Sequence, residues 1–390
     1  MAYYRQVGEI PRKRHTQFRK PDGGLYAEEL MGVEGFSADS ALLYHRHLPT
    51  AIVNAETVKD ERGTVSPNLP LKPRHFKTTD LTWASDEVDA VTGRRKLFGN
   101  PDVTIGFVVA TVPSPLYRNA FGDELLYVQT GSGVIETIYG ALPVGDGDYV
   151  VIPTSCTYRV VPSSPMSLLV LEATGHVGPP KRYLSKAGQF LEHSPYCERD
   201  IRGPEEPLLV EGTDVDVLVR HRAGLTRFTY ANHPFDVVGW DGHLYPWAFN
   251  IRDFEPITGR VHQPPPVHQT FEGPNFVVCS FVPRKVDYHP LSVPVPYNHA
   301  NVDSDELMFY VGGNYEARKG SGIGIGSMSL HPSGCTHGPQ PGAVEASLGA
   351  DYFDETAVMV DTFRPLELGE AAEATEDPAY AWTWARRGPA

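Results

Sequence analysis

No apolar run in this chain approaches the ~20 residues that a helical membrane span requires. The first twenty residues, MAYYRQVGEIPRKRHTQFRK, carry charge where a secretory signal has its apolar segment, so export is not expected. Cysteine is scarce: Cys156, Cys197, Cys279 and Cys335 stand far apart, with no CxxC pair. In a chain of this length that predicts reduced thiols in a cytoplasmic protein rather than a disulfide framework. Basic residues are in deficit, 34 against 48 acidic, for a net charge of −14. A nucleic-acid binder would show the opposite balance, and an anionic ligand would need a local basic patch here. No G-x-S-x-G elbow occurs. The glycine run from Lys319 to Gly326 lacks the Lys-Ser/Thr of a phosphate loop and lies between strand-like runs rather than ahead of a helix. It reads as a tight connection within a sheet.

Proline and glycine are abundant, 35 and 37 residues, which disfavours long helices and favours short strands joined by turns. The expected fold is mostly β. At 390 residues the chain exceeds one ordinary core, so two domains are expected, 1–245 and 246–390. Residues 1–60 show no clear periodicity. Their basic cluster, Arg12, Lys13, Arg14, Arg19 and Lys20, reads equally as an arm that docks on an acidic neighbouring subunit or as a solvated segment. His45 and His47 stand at i, i+2 with no third ligand nearby, so a structural role is expected. Residues 60–100 read as loop.

From 103 a strand grammar emerges: VTIGFVVATV, DELLYVQTGSGVIET, GDYVVIPTSCTYRVV and MSLLVLEATG. Strand, Gly turn, strand, Gly-Asp turn and a strand ending in Ile-Pro is the rhythm of a cupin barrel. Such a barrel would carry metal-binding histidines ahead of Glu124 and near 155–158. The residues there are Arg118-Asn119-Ala120-Phe121 and Ser155-Cys156-Thr157-Tyr158, so the N-terminal barrel is expected to be a metal-free scaffold. Residues 176–245 read as a connecting region. The aromatic stretch 226–256 reads mainly as core, with Tyr245 and Trp247 the best candidates for a place near a site.

Chemistry concentrates between 259 and 339. His262 and His268 flank Pro264-Pro265-Pro266, a segment expected to be stiff and extended. His299 precedes a strand over Glu306–Val311, Glu306 opens it, and His337 follows a second strand over Ser327–Leu330. Two imidazoles and one carboxylate on one face hold Fe(II) in oxygen-using sites and leave corners free for substrate and oxygen. Cys335, two residues from His337, is a weaker alternative ligand. A strand over Ala357–Thr362 would close the second barrel. The acidic tail, GEAAEATEDPAYAWTW, reads as a flexible or subunit-capping end.

At these residues the chain resembles the homogentisate 1,2-dioxygenase family over most of its length, most strongly from about 245 onward. The marks are Pro-Tyr-Asn-His299-x-Asn301, Glu306-Leu-Met, Gly313-Asn-Tyr315-Glu316-Ala317, Ser329-Leu330-His331 and Thr336-His337-Gly338-Pro339. The resemblance implies a bicupin-like, two-part β fold with the metal in the C-terminal barrel, assembled as a homo-oligomer of three or six copies. It implies that His299, Glu306 and His337 bind iron, and that Tyr315 and His331 lie at the substrate beside His337. His262, or in reserve His268, would act as acid/base. Relative to the eukaryotic pattern this chain has one extra residue after His299, so Asp305 competes with Glu306; counting back from Tyr315 favours Glu306. The implied reaction opens the ring of homogentisate, a small aromatic acid, with O2 to give maleylacetoacetate in tyrosine and phenylalanine catabolism. Two other readings are a dioxygenase for another hydroquinone-type acid such as gentisate, and a cupin that binds a small aromatic acid without turnover.

Overall fold

The computed structural model describes residues 3–60 and 62–385. Strands carry the architecture, and the helices are one- or two-turn pieces. No helix among the described residues is long and apolar enough to cross a membrane. The chain condenses into two units. The first runs to Arg62 and takes in Ser85–Arg94 and Val108–Asn250; the second comprises Gly63–Ala84, Arg95–Phe107 and the chain from Ile251 onward. Two segments that the linear division at 245/246 leaves on the N-terminal side, 63–84 and 95–107, thus cluster with the second unit.

In the first unit the expected strands appear as Glu124–Thr130, Gly133–Thr137, Asp148–Ile152, Thr157–Pro162 and Met166–Ala173. Glu124–Thr130 lies between Asp148–Ile152 and Met166–Ala173, antiparallel to both. Residues 1–60, aperiodic in sequence, also form strands: Arg5–Gly8, Ala27–Gly32, Ser40–His45 and Ile52–Val58. The region 176–245 is more than a connection, since Val215–His221 and Gly224–Tyr230 form a hairpin. Tyr245 and Trp247 are 0% and 1% exposed and belong to this unit's core. Part of the basic cluster is tied within its own unit. Arg14 donates to Asp241 at 2.8 Å, and Lys20 to the Arg46 carbonyl at 2.5 Å.

His45 has the structural role that its sequence context suggests. Its Nδ1 lies 2.6 Å from Asp236 and its Nε2 2.9 Å from Glu29, joining three segments of one unit. Burial alone would lower the imidazole's pKa, but hydrogen bonds to Asp236 and Glu29 outweigh it and raise the pKa to about 9. A folded-state pKa above the unfolded one contributes stability that is complete below about pH 6.5 and lost as pH climbs through 9. Urea unfolding between pH 6 and 9.5 is therefore expected to show a loss on the order of 3 kcal/mol in that window. His45→Gln should remove the pH-dependent part; an unchanged slope would refute the assignment.

The second unit is built on an antiparallel sheet. In spatial order it runs Gln269–Gly273, Phe276–Phe281, Glu355–Thr362, Asp305–Gly313, Ser327–His331 and Arg74–Lys77. Its last strand comes from the region that reads as loop. The triple proline is not fully extended: Pro264 is, but Pro265–His268 turn into a short 3-10 helix. A φ near −65° suits both conformations, so proline stiffness alone does not choose between them. The glycine run makes the expected tight connection. Gly320, Gly322 and Gly326 have φ of +86°, +87° and +82°, which residues with a Cβ rarely adopt. The tail is folded over its described length, with helical turns at Glu370–Glu373 and Tyr380–Ala385 and a fully buried Tyr380.

Candidate metal centre

The strand Asp305–Gly313 settles which carboxylate faces the histidines. Neighbouring residues on a strand point to opposite faces. Asp305 turns away and accepts the backbone N–H groups of Ser333 and Leu366, each at 2.8 Å. Glu306 points the other way. Opposite it in register stand His331 on one neighbouring strand and Asp361 on the other. His299 and His337 are locked together by reciprocal backbone hydrogen bonds of 2.7 and 2.8 Å, with ring centroids 4.3 Å apart. One ligand atom from each of His299, Glu306 and His337 falls within 4.8 Å of the others.

This geometry fits a cation. Glu306 Oε2 lies 3.5 Å from His299 Nε2, and Glu306 Oε1 lies 3.4 Å from His337 Nε2. Adjacent corners around an ion with bonds of ~2.1 Å are separated by roughly 3 Å. The His337 Nδ1–H donates to the Cys335 carbonyl at 3.2 Å, which leaves Nε2 as a lone pair. That nitrogen is buried, has no hydrogen-bond partner among the described residues and faces a carboxylate oxygen. Two acceptors facing each other in a buried place call for a positive charge between them. Burial alone would raise the Glu306 pKa, yet the imidazoles of His299, His331 and His337 around the carboxylate hold it well below the usual range. Cys335 is not part of the cluster; its backbone carbonyl orients His337 instead.

Glu306 and His299 line a cavity of about 190 Å³, together with His262, Tyr297, Tyr315 and Arg318. Tyr315 is half-buried there, its hydroxyl 3.4 Å from the Thr356 carbonyl, and burial pushes its phenol pKa up. His262 is exposed at the cavity wall, with Nε2 3.0 Å from the Tyr297 hydroxyl and Nδ1 3.6 Å from Asp287. His268 does not line this cavity. It packs buried against Phe281 at 4.5 Å, and burial, then the Arg284 and His262 charges, drive its pKa down to about 3.

His331 departs from its expected place at the substrate. It is fully buried, does not line the cavity and stacks on His337 at 4.1 Å. Its pKa is driven down to about 3 by burial, then by Arg318. A neutral ring fits its two partners: Nδ1–H donates to Glu306 at 3.1 Å, and Nε2 accepts the Tyr380 hydroxyl at 2.9 Å. His331 therefore orients Glu306 from behind. Tyr380 and Trp384 went unrecognised in the sequence as parts of this shell, because nothing in an acidic tail marks which aromatic turns inward. Trp384 donates to the Gly338 carbonyl at 3.1 Å, one residue beyond His337.

The comparisons with known proteins agree with the geometry. The model of the homogentisate 1,2-dioxygenase N-terminal domain matches residues 4–251, and that of the C-terminal domain matches 263–386. A protein of Saccharolobus solfataricus, bearing a provisional dioxygenase name with no substrate given, is 40% identical over 98% of this chain and 99% of its own. The homogentisate 1,2-dioxygenase of Emericella nidulans is 27% identical, covering 92% of this chain and 82% of its own. Among solved structures, a cupin 2 conserved barrel domain protein from Leptotrichia buccalis aligns with a TM-score of 0.36 at 10% identity, over 77% of this chain and 100% of its own. Matched by both domain models across nearly its whole length, the chain belongs to the homogentisate 1,2-dioxygenase family.

Proposed function

We propose that this protein is an Fe(II)-dependent ring-cleaving dioxygenase that converts homogentisate and O2 to maleylacetoacetate. The observation that carries the reading is the convergence of His299, Glu306 and His337 beside a cavity that Tyr315 and His262 also line. When bound, the iron would supply positive charge for a ring phenolate and a path for electrons between ring and oxygen.

The chain's own groups supply the rest. His262 has one nitrogen at the Tyr297 hydroxyl and the other toward Asp287. It can take the phenol proton at one face and be held by the carboxylate at the other. Losing that proton makes the ring electron-rich enough to react with oxygen. Cleavage falls between the hydroxylated carbon and the neighbouring carbon that bears the acetate arm, and both oxygen atoms enter the product. Tyr315 and Met308 wall the ring, and strand-borne residues keep that orientation tight. His331 and Tyr380 hold Glu306 in place from the buried side. With this reading go a homo-oligomer of three or six copies and a cytoplasmic location. Both are carried by the family likeness, and four free cysteines are compatible with the latter.

Anaerobic reconstitution with Fe(II), followed by oxygen-electrode traces with homogentisate and with gentisate, tests the reading. The expected result is stoichiometric oxygen uptake with homogentisate and a ring-opened product absorbing in the near ultraviolet. Uptake with gentisate alone would overturn the substrate; no uptake with any para-diol acid would overturn the dioxygenase.

A further inference from the structure

Two guanidinium groups among the described residues line the cavity, and they differ in one respect. Arg284 donates to the Glu355 carboxylate at 2.8 Å and is neutralised by it. Arg318 is 9% exposed, and its partners are two neutral oxygens. Its Nε donates to the Tyr310 hydroxyl at 3.1 Å and its Nη1 to the Gly338 carbonyl at 2.7 Å. It makes no ion pair among the described residues. Glu306, a carboxylate that acts on Arg318 without pairing with it, already faces three imidazoles.

Burying a cation without a counter-ion costs several kcal/mol. Beside a cavity, that cost is offset when the ligand brings the anion. An arginine has five N–H donors in a planar fork, and two of these five are used. Nη2 and the second Nη1 hydrogen remain, and they can grip a carboxylate with two parallel bonds. The position suits the chemistry as well. Arg318 holds Gly338, the residue after His337, so its fork lies next to the proposed metal ligands. In homogentisate the acetate arm and one hydroxyl stand on adjacent ring carbons and leave the same edge of the ring.

We propose that Arg318 is the anchor for the substrate carboxylate, and that it makes this cavity selective for aromatic acids over the same para-diols without the acid group. The proposal rests on the dihydroxy-acid reading above and names the residue that selects the acid. The competing role is a strut: Arg318 would only hold the Gly338 loop, and with it His337.

The test uses the full chain loaded with Zn(II), which blocks turnover, titrated under argon and followed by calorimetry. Two ligand pairs are compared, homogentisate with methylhydroquinone and gentisate with hydroquinone. The wild-type chain is expected to bind at least one acid roughly 10- to 100-fold more tightly than its uncharged partner. Arg318→Met should collapse that preference by weakening the acid alone, with metal content still one ion per chain. Arg318→Gln keeps a donor for the Gly338 carbonyl and should behave likewise, so it carries the test should the methionine variant lose metal. A wild-type chain with no preference for either acid overturns the anchor. So does a neutral variant that keeps the preference, or one that weakens both members of a pair equally. An Arg318-dependent preference for gentisate alone would leave the anchor standing and overturn homogentisate as the substrate.

Discussion

Glu306→Ala is expected to abolish metal uptake and oxygen consumption together. Glu306 is 6% exposed and is the point at which three histidines from separate segments meet. Without it, His299 and His337 remain held at 4.3 Å by their backbone bridge, but two neutral imidazoles do not compensate a divalent charge. Loss of an outer partner costs roughly 10- to 100-fold in metal affinity, and loss of a direct carboxylate ligand should exceed that. Glu306→Gln keeps the shape and removes the charge, so it separates the ligand role from simple packing. Metal content after reconstitution, measured beside oxygen uptake, is the readout. A Glu306→Ala chain that retained one iron and still consumed oxygen would sink the assigned centre.

Arg94→Met is expected to destabilise the first unit by about 3–5 kcal/mol, the usual consequence of leaving a buried carboxylate, here Glu124, without its cation, while Glu172 keeps its ion pair with Arg62. Arg94 is 5% exposed, and its Nη1 lies 2.9 Å from Glu124 and 2.6 Å from Glu172. Its Nη2 donates to the Tyr158 hydroxyl at 2.8 Å, which in turn donates to Glu124. Burial would raise the Glu172 pKa, but Arg62 and Arg94 lower it below the ordinary carboxylate value. The local register parallels the second unit. Glu124 pairs with Ile152 and Glu172 on its two neighbouring strands, as Glu306 pairs with His331 and Asp361. In the first unit a guanidinium supplies the positive charge from within the chain. Urea unfolding should show the loss in Arg94→Met, and much of it should be recovered when Glu124→Gln is added, with the Arg62–Glu172 pair left in place. A single variant within 1 kcal/mol of wild type would contradict this account.

These two carboxylates were legible to different degrees. Glu124 is the first and Glu306 the second residue of a strand rich in Leu, Val, Tyr or Phe, and a short apolar run bounded by turn residues announces such strands without tertiary help. The sequence also separated the barrel with histidines near its glutamate from the one without. Arg94 was not legible as the replacement, because it lies thirty residues from Glu124 in a stretch with no regular period. One of the strands before residue 60 was hidden for a similar reason. Ile52–Val58 is almost wholly exposed, so no buried face imposes a pattern on it.

What the sequence determined by itself was local: strand-forming runs, the turns that punctuate them, and the spacing of His299, Glu306 and His337. The tertiary structure decided what depends on which residues face each other. It turned Asp305 away from the histidines and Glu306 toward them, set His331 behind the site rather than on its wall, and gave Arg318 two neutral oxygens as its hydrogen-bond partners beside the cavity. A strand's period of two tells which residues share a face, but only packing against other segments tells what that face meets. Tyr380 makes the point: its contact with His331 spans 49 residues, and no local rule connects the two.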